Sequence, residues 1–299
     1  MIKSNGLINT YKFVMNKLNT PSALGYSSVG EVIALGGNVS SFSVGDFVAC
    51  GGSSANHADV ISVPKNLCVK VEENIDLKQA AFTTLGSIVI QGIRRSKLVF
   101  GNSALIIGLG LLGQLTIKIL NSIGVKTIGV DINDKNIKYA KKIGLKNIFN
   151  RNQLSLDKVI YELSDGHGVD SVIITAGTKS SDPINFAGRV SRKKGKIVIV
   201  GDVSPNFARE NFYKKELDLL MSMSYGPGRY DPNYEKKGID YPIEFVRWTE
   251  KRNFLAILNA LEKKILNLKP LITHKIKFEN ALDAYNLLTS EEHSLAILF

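Results

Sequence analysis

Three glycines, Gly108, Gly110 and Gly113, occur at the spacing G-x-G-x-x-G in the stretch SALIIGLGLLGQLTIKIL. The apolar run before them is typical of a buried strand, and the pattern after them is typical of a helix. In such a turn the first glycine allows a sharp change of direction, the second lets the backbone approach a pyrophosphate, and the third lets helix and strand pack closely. The context therefore predicts a dinucleotide-binding turn rather than an ordinary loop.

Asp131 ends the next apolar run, where an acidic residue is expected in a dinucleotide site. A carboxylate there would accept hydrogen bonds from the adenosine ribose and repel a 2′-phosphate, which favours NAD(H) over NADP(H). Asp131 would alternatively act as a helix N-cap, and the two roles are compatible. The amides at the start of the following helix would hold the phosphates. The predicted cofactor site also includes four neighbouring residues: Leu109, Leu111, Leu112 and Ile132.

Two regions of the chain differ in their patterns. From about Leu24 to Val71, short apolar runs are broken by glycine and proline, which predicts a small β-barrel or sandwich. From about Ser103 to Tyr225, strand patterns alternate with helical patterns. Repeated strand–helix–strand units form a parallel sheet that is covered on both faces. The predicted fold class is therefore α/β, with a doubly wound parallel sheet that carries the glycine turn.

The composition limits the classes of function. The chain has 299 residues, of which 44% are hydrophobic and 22% charged, a mixture typical of a soluble globular protein. Its net charge of +11 comes with scattered lysines, which favours attraction of anionic ligands over a dedicated nucleic-acid role. No apolar run reaches the ~18 residues of a membrane span, and no signal peptide is recognisable. Cys50 and Cys68 match no disulfide or zinc-ribbon spacing, which favours a reducing cytoplasm.

Several segments resemble the medium-chain dehydrogenase/reductase superfamily, which contains the zinc alcohol dehydrogenases and their zinc-free relatives. The matching segments are GEVIALGGNVSSFSVGDFVA, VPKNLCVKVEENIDLKQAAF, IIGLGLLGQLTIKIL, VDINDKNIKYAKKIG, GKIVIVGD and LKPLITHKI. The resemblance implies a Rossmann sheet joined to a GroES-like β-barrel domain. It implies a partial GroES-like catalytic domain at residues 1–92, to which residues 265–299 return, and an NAD-binding Rossmann domain at residues 93–264.

A closer resemblance, to the bi-domain oxidoreductases often found in polysaccharide biosynthesis, rests on four segments. They are LGYSSVGEV, HADVISVPKNLCVKV, AFTTLGSIVIQGIR and SYGPGRYDPNYEKKGIDYP followed by VRWTEKRN. In that family a domain of the glucose–fructose oxidoreductase type follows the dehydrogenase domain. The resemblance implies that this second domain and an N-terminal part of the barrel are missing here, and that a separate chain could supply the missing domain.

The resemblance also identifies the positions where zinc ligands would lie. Zinc alcohol dehydrogenases have a His-Glu pair directly after the glycine corner, whereas Tyr26 and Ser27 follow Gly25 here. Ser87 stands at the position of the downstream cysteine ligand. A zinc site needs three or four convergent Cys, His or carboxylate ligands, and the four histidines are widely spaced in the sequence. We therefore expect no catalytic zinc and no other metal.

Without zinc, another group must stabilise or protonate the alkoxide that forms during hydride transfer to a carbonyl. By position, the candidates for this catalytic role are Tyr26, His57 and Ser87. Tyr26 would alternatively be an aromatic residue packed on the corner, and Ser87 a small residue at a close approach. His57 would alternatively be a histidine satisfied within a barrel turn.

Superfamily resemblance places further residues along the cofactor. Gln91 would lie near the nicotinamide, and Ser224 would offer a backbone group to its carboxamide. Strand ends border the ligand crevice in sheets of this kind. Four residues at the ends of two parallel strands are expected there: Ala176, Gly177, Val200 and Gly201.

The stretch from Tyr225 to Tyr241, here called the tyrosine-rich loop, is also rich in glycine and proline and is predicted to be a long loop. Arg229, Tyr230 and Tyr234 would suit a hydroxyl-rich or anionic substrate such as a sugar derivative. The alternatives are a loop that packs on itself and a docking surface for a second domain.

These observations predict a zinc-independent, NAD(H)-dependent oxidoreductase that acts on a polar alcohol or carbonyl, with sugar derivatives of polysaccharide biosynthesis as one substrate class. By resemblance we expect a homodimer through an edge strand near Met221 to Tyr225, and no nucleic-acid or membrane partner. One alternative is a non-catalytic dinucleotide-binding remnant, or a subunit of a split enzyme. Another is an RNA-binding protein that uses the dinucleotide cleft.

Overall fold

The computed structural model describes residues 6, 9, 11, 15, 23–290 and 292–299, so most of the stretch before residue 23 in the predicted 1–92 domain lies outside the described residues. The described strands are β1 (Ser27–Glu31), β2 (Phe47–Gly51), β3 (Cys68–Lys70), β4 (Ser103–Ile107), β5 (Lys126–Asp131), β6 (Ile148–Asn150), β7 (Val169–Ile174), β8 (Gly177–Thr178), β9 (Ser191–Ile199), β10 (Asp202–Val203), β11 (Asp218–Met221), β12 (His274–Lys275) and β13 (Ile297–Leu298). Between residues 23 and 290 the α-helices are α1 (Leu77–Ala80), α2 (Thr83–Ser96), α3 (Leu111–Ser122), α4 (Asp134–Lys142), α5 (Leu156–Leu163), α6 (Asp182–Val190), α7 (Arg209–Lys215), α8 (Pro232–Glu235), α9 (Glu250–Glu262) and α10 (Ala281–Thr289). None of the helices in the described part of the chain combines the length and apolar character needed to span a membrane.

A six-stranded parallel sheet in the order β11–β9–β7–β4–β5–β6 forms the centre of the fold. Its middle strand β4, with the sequence SALII, is buried at every position. Successive side chains of a strand point to opposite faces, so Ala104 and Ile106 enter one core while Leu105 and Ile107 enter the other. This arrangement confirms the predicted doubly wound α/β fold.

Helices cover both faces of the sheet. On the face of Ile106, α2, α3 and α9 contribute Val89, Leu115 and Phe254 to the core. On the opposite face, α5 contributes Ile160, and α6 and α7 pack beside it. Burying one such apolar side chain stabilises the fold by ~1.5–3 kcal/mol relative to leaving it exposed. The turns at the strand ends are therefore anchored by well-packed elements on both sides.

A smaller antiparallel sheet, β1–β2–β3, precedes the large sheet. Its register places Cys50 opposite Cys68, both buried, with their sulfur atoms 3.7 Å apart. The C-terminal part of the chain adds the parallel pair β12–β13 and helix α10. Tyr285 of α10 contacts His57 in the connection between β2 and β3, so the C-terminal part packs against the smaller sheet region. The domain division at residues 92 and 265 stays a prediction.

Candidate functional site

The glycine turn lies at the carboxyl end of β4, and its glycines meet different steric demands. Gly108 has a φ of +99°, and a Cβ there would lie 2.7 Å from the amide nitrogen of Ala176. A Cβ at Gly113 would overlap the carbonyl oxygen of Gly108, and one at Gly201 would overlap that of Ala176. Gly110, by contrast, has nothing within 4 Å of its Cβ position. The turn is therefore tightly packed on the protein side and open at Gly110.

Helix α3 begins directly at this open glycine. Gly110 is the N-cap residue, and no side chain caps this end of the helix. The first amides of a helix have no acceptor within it, and the helix dipole adds a partial positive charge there. The backbone N–H groups of residues 111–113 are thus available to an anionic group. Leu109 is fully buried and steadies the turn, since its carbonyl oxygen accepts a hydrogen bond from Nε2 of Gln114 at 2.8 Å.

Asp131 ends β5 beside the turn. Its carboxylate accepts hydrogen bonds from the backbone N–H groups of Leu109 at 2.6 Å and Asn133 at 2.8 Å. Nδ2 of Asn136 donates a third bond to it at 3.1 Å. The N-cap of the following helix, α4, is Asn133, whose side chain accepts a hydrogen bond from the backbone N–H of Lys135. The alternative in which Asp131 caps this helix is therefore wrong.

The carboxyl ends of the parallel strands lie next to the turn, and open α/β sheets bind ligands at this edge. Four of the predicted cofactor residues lie at this edge: Ala176, Gly177, Val200 and Gly201. The Oγ1 of Thr175 donates a hydrogen bond to the carbonyl oxygen of Gly108 at 2.7 Å, which ties the end of β7 to the turn. Ile132, directly after Asp131, is 71% exposed.

These residues fit a nicotinamide dinucleotide. The start of α3 offers backbone N–H groups that have no acceptor within the helix, and no described atom fills the space beside Gly110, so a pyrophosphate could approach the backbone closely. Asp131 offers carboxylate oxygens at the end of the neighbouring strand, where ribose hydroxyls would lie.

A buried polar network holds the segment that carries Ser224. Nδ2 of Asn253 donates a hydrogen bond to the carbonyl oxygen of Tyr225 at 2.9 Å. Oδ1 of the same side chain accepts one from Nε of Arg94 at 3.0 Å. Sequence reasoning did not identify Asn253, although its place on the buried face of α9 was an available signal.

Gln91 lies beside the same segment. A Cβ at Gly226 would be 2.8 Å from Oε1 of Gln91 and 3.0 Å from Nδ2 of Asn253. The structure therefore brings Gln91 close to the stretch that contains Ser224, the two residues expected near the nicotinamide.

A cavity of about 360 Å³ lies between the start of α3 and the small sheet. Its wall includes Tyr26, His57, Leu111 and Tyr285. Two of the three predicted catalytic residues are therefore placed next to the helix start at which a pyrophosphate would bind.

Ser87, the third predicted catalytic residue, does not line this cavity. It is fully buried, and its hydroxyl group donates a hydrogen bond to the carbonyl oxygen of Thr83 at 2.8 Å. Its catalytic assignment is corrected to a packing role within α2, because it has no surface to offer a substrate. In the part of the chain that the structure describes, no three side chains of His, Cys, Asp or Glu are grouped so that they could hold a metal ion.

His57 is paired with a residue that sequence reasoning did not identify. Its Nδ1 lies 2.5 Å from the hydroxyl oxygen of Tyr285, and its ring packs edge-on against Phe299 with centroids 4.8 Å apart. Burial lowers the pKa of His57 below its ordinary value, which favours the neutral ring. The amphipathic pattern of α10 gives no sign of this contact, because 228 residues separate the two partners.

The glycine corner holds Tyr26 and His57 on the same wall. Gly25 has a φ of +89°, and a Cβ there would overlap the imidazole ring of His57. Tyr26 is 45% exposed, and burial of the remainder raises the pKa of its hydroxyl above the ordinary value. Tyr26 therefore presents a protonated hydroxyl group at the cavity wall at neutral pH.

The tyrosine-rich loop packs on itself and includes the short helix α8. Tyr234 is completely buried, and the ring of Tyr241 stacks on it with centroids 5.4 Å apart. Arg229 donates a hydrogen bond to Oε1 of Glu235 at 2.6 Å in a mostly buried ion pair. The assignment of Tyr234 as a substrate contact is corrected to a packing role, because its side chain is completely buried, whereas the assignment of Arg229 stays a prediction. Tyr230 is 66% exposed.

Glu250, at the start of α9, lies beneath this loop. It is fully buried, and neither of its carboxyl oxygens has a hydrogen-bond partner among the described residues. Burial, reinforced by the charge of Glu235, raises the pKa of Glu250 to about 8, although the nearby guanidinium of Arg229 acts in the opposite direction. The carboxyl group is therefore largely protonated at neutral pH.

A doubly wound sheet with a glycine turn, an uncapped helix start and a carboxylate on the adjacent strand defines a dinucleotide-binding fold of the dehydrogenase type. Residues 112–239 match the family described as zinc-binding dehydrogenase, which contains alcohol dehydrogenase-like members of the medium-chain dehydrogenase/reductase superfamily. This confirms the predicted superfamily and makes the chain an oxidoreductase of the medium-chain type. The closer resemblance to bi-domain oxidoreductases stays a prediction.

Named relatives agree with this placement. The chain is 26% identical to sorbitol dehydrogenase 1 of Saccharomyces cerevisiae, over 90% of this chain and 78% of the yeast protein. Its fold is similar to that of the alcohol dehydrogenase TADH from Thermus sp. ATN1, with a TM-score of 0.78 and 19% identity over 96% of this chain and 87% of that one. The short chain alcohol dehydrogenase rspB of E. coli CFT073, solved with NADH, gives a TM-score of 0.73 and 20% identity over 96% and 87% of the two chains.

Proposed function

We propose that this oxidoreductase transfers a hydride between a nicotinamide dinucleotide and a polar alcohol or carbonyl, that it prefers NAD(H) to NADP(H), and that it works without a catalytic zinc ion. The observation that carries the proposal is the Asp131 carboxylate, which accepts a hydrogen bond from the backbone nitrogen of Leu109 at 2.6 Å. A carboxylate in this place can bind ribose hydroxyls and repels a 2′-phosphate.

The residues around the glycine turn would hold the cofactor. The backbone N–H groups of residues 111–113 would bind the pyrophosphate, and the open space at Gly110 would let it approach. When bound, the cofactor supplies or accepts the hydride, and the protein orients it. The NADH complex of the E. coli relative supports a nicotinamide dinucleotide in this role.

The cavity beside α3 would hold the substrate. The hydroxyl groups of Tyr26 and Tyr285 and the imidazole of His57 line it, and such groups can bind hydroxyl-rich molecules and exchange protons with them. The yeast relative is named a sorbitol dehydrogenase, which supports a sugar alcohol or the corresponding ketose as the substrate class.

The proposed independence from zinc rests on the residues at the ligand positions. The hydroxyl group of Ser27, after the glycine corner, donates to the carbonyl oxygen of Ala81 at 2.7 Å, and that of Ser87 donates to Thr83. Zinc sites of dehydrogenases use cysteine, histidine and carboxylate ligands, none of which stands at these positions.

Turnover after metal removal tests the proposal. The protein is treated with a strong chelator, NAD⁺ reduction is followed with sorbitol and xylitol, and NADH oxidation is followed with fructose and xylulose. We expect turnover of at least one such pair, unchanged by chelation and not increased by added Zn²⁺. Turnover that requires Zn²⁺ would contradict zinc independence. NADH binding without any turnover would favour a non-catalytic dinucleotide-binding protein instead.

A further inference from the structure

His57 stands at the junction of two cavities. The smaller one, about 360 Å³, is the cavity beside α3, and a larger one of about 680 Å³ adjoins it. Among the described residues, His57 is the one titratable side chain that lines both cavities, whereas Tyr285 lines the smaller one. His57 therefore lies in the wall shared by the two cavities.

Both cavities are open to solvent, and apolar side chains make up most of the wall of each. Four charged residues of the larger cavity are all exposed: Asp59, Lys78, Lys275 and Lys277. The smaller cavity is lined by apolar side chains such as Phe82, Leu85 and Leu288. The titratable groups that face His57 are thus Tyr26 and Tyr285 on the side of the smaller cavity and these four charged groups on the other side.

The polar groups of the smaller cavity differ in their freedom to move a proton. The hydroxyl of Ser27 is engaged with the carbonyl oxygen of Ala81. A carbonyl oxygen has no proton to return, so this hydrogen bond cannot take part in proton transfer. Tyr285 is bonded to Nδ1 of His57, a ring nitrogen that can either accept or return a proton.

We propose that Tyr285 and His57 form a proton relay, in which Tyr285 exchanges a proton with the substrate oxygen and His57, bonded to Tyr285 through Nδ1, exchanges that proton with solvent. This inference rests on the proposed function and names the groups that would replace a metal in it. Tyr285 is then a catalytic residue, and His57 is a positioning residue that acts through it.

The hydride and the protons are accounted for in both directions of the reaction. In carbonyl reduction, the carbonyl carbon accepts the hydride, with its electron pair, from a reduced nicotinamide dinucleotide, and the carbonyl oxygen takes the hydroxyl proton of Tyr285. Nδ1 of His57 returns a proton to the Tyr285 oxygen, and Nε2 takes up one proton from solvent. In alcohol oxidation, the hydride leaves to the oxidised dinucleotide, and the alcohol proton passes through Tyr285 and His57 to solvent.

Kinetics of two variants test the relay with whichever polyol of the panel turns over. Tyr285→Phe removes the hydroxyl and keeps the ring, and we expect kcat to fall by about 10²–10⁴-fold with little change in KM, as for the loss of a general acid–base group. His57→Gln should lower kcat and flatten the pH dependence of kcat, which a merely structural change would not do.

Tyr161→Phe is the matched control. It removes a hydroxyl that is bonded to the carbonyl oxygen of Arg189, and Tyr161 lines neither cavity. An unchanged kcat and pH profile in Tyr285→Phe would overturn the relay.

A second measurement, NMR of the histidine side chains, does not require the protein to convert a substrate. NMR resonances of the imidazole nitrogens report the tautomer and protonation of each of the four histidines. We expect Tyr285→Phe to shift the resonances and titration midpoint of His57 and to leave those of the other three unchanged. If the unaltered protein turns over no polyol or ketose, the proposed function fails. The NMR spectrum alone then tests the hydrogen-bonded pair of Tyr285 and His57. Unchanged His57 resonances would then overturn it, and shifted ones would support it.

Discussion

Asp131 steadies the glycine turn and also faces the place where a ribose would bind. Its carboxylate accepts hydrogen bonds from the backbone nitrogens of Leu109 and Asn133 and from Nδ2 of Asn136, so most of its bonding capacity is used within the protein. An ionised carboxylate has about four lone-pair sites, which leaves capacity for one ribose hydroxyl. One side chain therefore connects the geometry of the turn with the choice between the two cofactors.

Replacing Glu250 by glutamine tests the buried carboxyl beneath the tyrosine-rich loop. Because burial raises the pKa of Glu250 from 4.5 to about 8, the folded chain keeps a proton that the unfolded chain releases at lower pH. Stability from this group is therefore greatest at acid pH, and the free energy of unfolding should fall between about pH 4.5 and about pH 8, by on the order of a few kcal/mol. In Glu250→Gln this part of the pH dependence should be absent. Urea unfolding of both proteins at about pH 5 and about pH 9 measures it.

Glu235→Gln is the matched control for this experiment. It weakens the ion pair with Arg229, whose atoms are 2.6 Å apart, and leaves the carboxyl of Glu250 in place. We expect it to destabilise the chain at both pH values while most of the pH dependence remains. A Glu250→Gln variant with the same pH dependence as the parent would contradict the buried, protonated state of Glu250.

The first turn of α3 offers a matched pair of glycine substitutions. A Cβ at Gly113 would overlap the carbonyl oxygen of Gly108, so Gly113→Ala should lower the free energy of unfolding by about 1–3 kcal/mol or more. Gly110 has open space at its Cβ position and a φ of −66°, so Gly110→Ala should change stability by less than about 0.5 kcal/mol. Both variants should bind NADH more weakly, as measured by thermal unfolding and NADH titration in parallel. Normal NADH affinity in Gly110→Ala would contradict the placement of the pyrophosphate.

The central strands and the glycine turn could be predicted because their signals are local. An apolar run such as SALII is a property of consecutive residues, and it forms β4, buried on both faces. The packing of the tyrosine-rich loop could not be predicted, because the burial of Tyr234 depends on how the whole loop folds back. The contact of Tyr285 with His57 joins residues 228 positions apart, and no pattern along a single sequence reports such a pair.

The edge of the large sheet at β11 is where we expect two copies of the chain to pair. Among the described residues β11 has one neighbour in this sheet, so its other edge carries unpaired backbone groups that could pair with a second copy. Met221, at the end of β11, is 65% exposed. We expect a homodimer by size-exclusion light scattering, and a shift towards monomer in Met221→Lys. Leu154→Lys, at a position 91% exposed after β6 on the opposite edge of the sheet, should leave the dimer unchanged. A parent protein that stays monomeric at all concentrations would contradict this expectation.

The preference of the dinucleotide site is measured by titrating the chain with NADH and with NADPH, followed through the single tryptophan, Trp248, or through nicotinamide emission. We predict that NADH binds about tenfold or more tightly than NADPH. Asp131→Ala should weaken NADH binding by about tenfold or more, because losing a hydrogen bond to a charged group costs ~1.5–3 kcal/mol. A folded protein that binds no NADH, or that binds both cofactors equally with an unchanged Kd in Asp131→Ala, would contradict an NAD(H)-preferring site at Asp131.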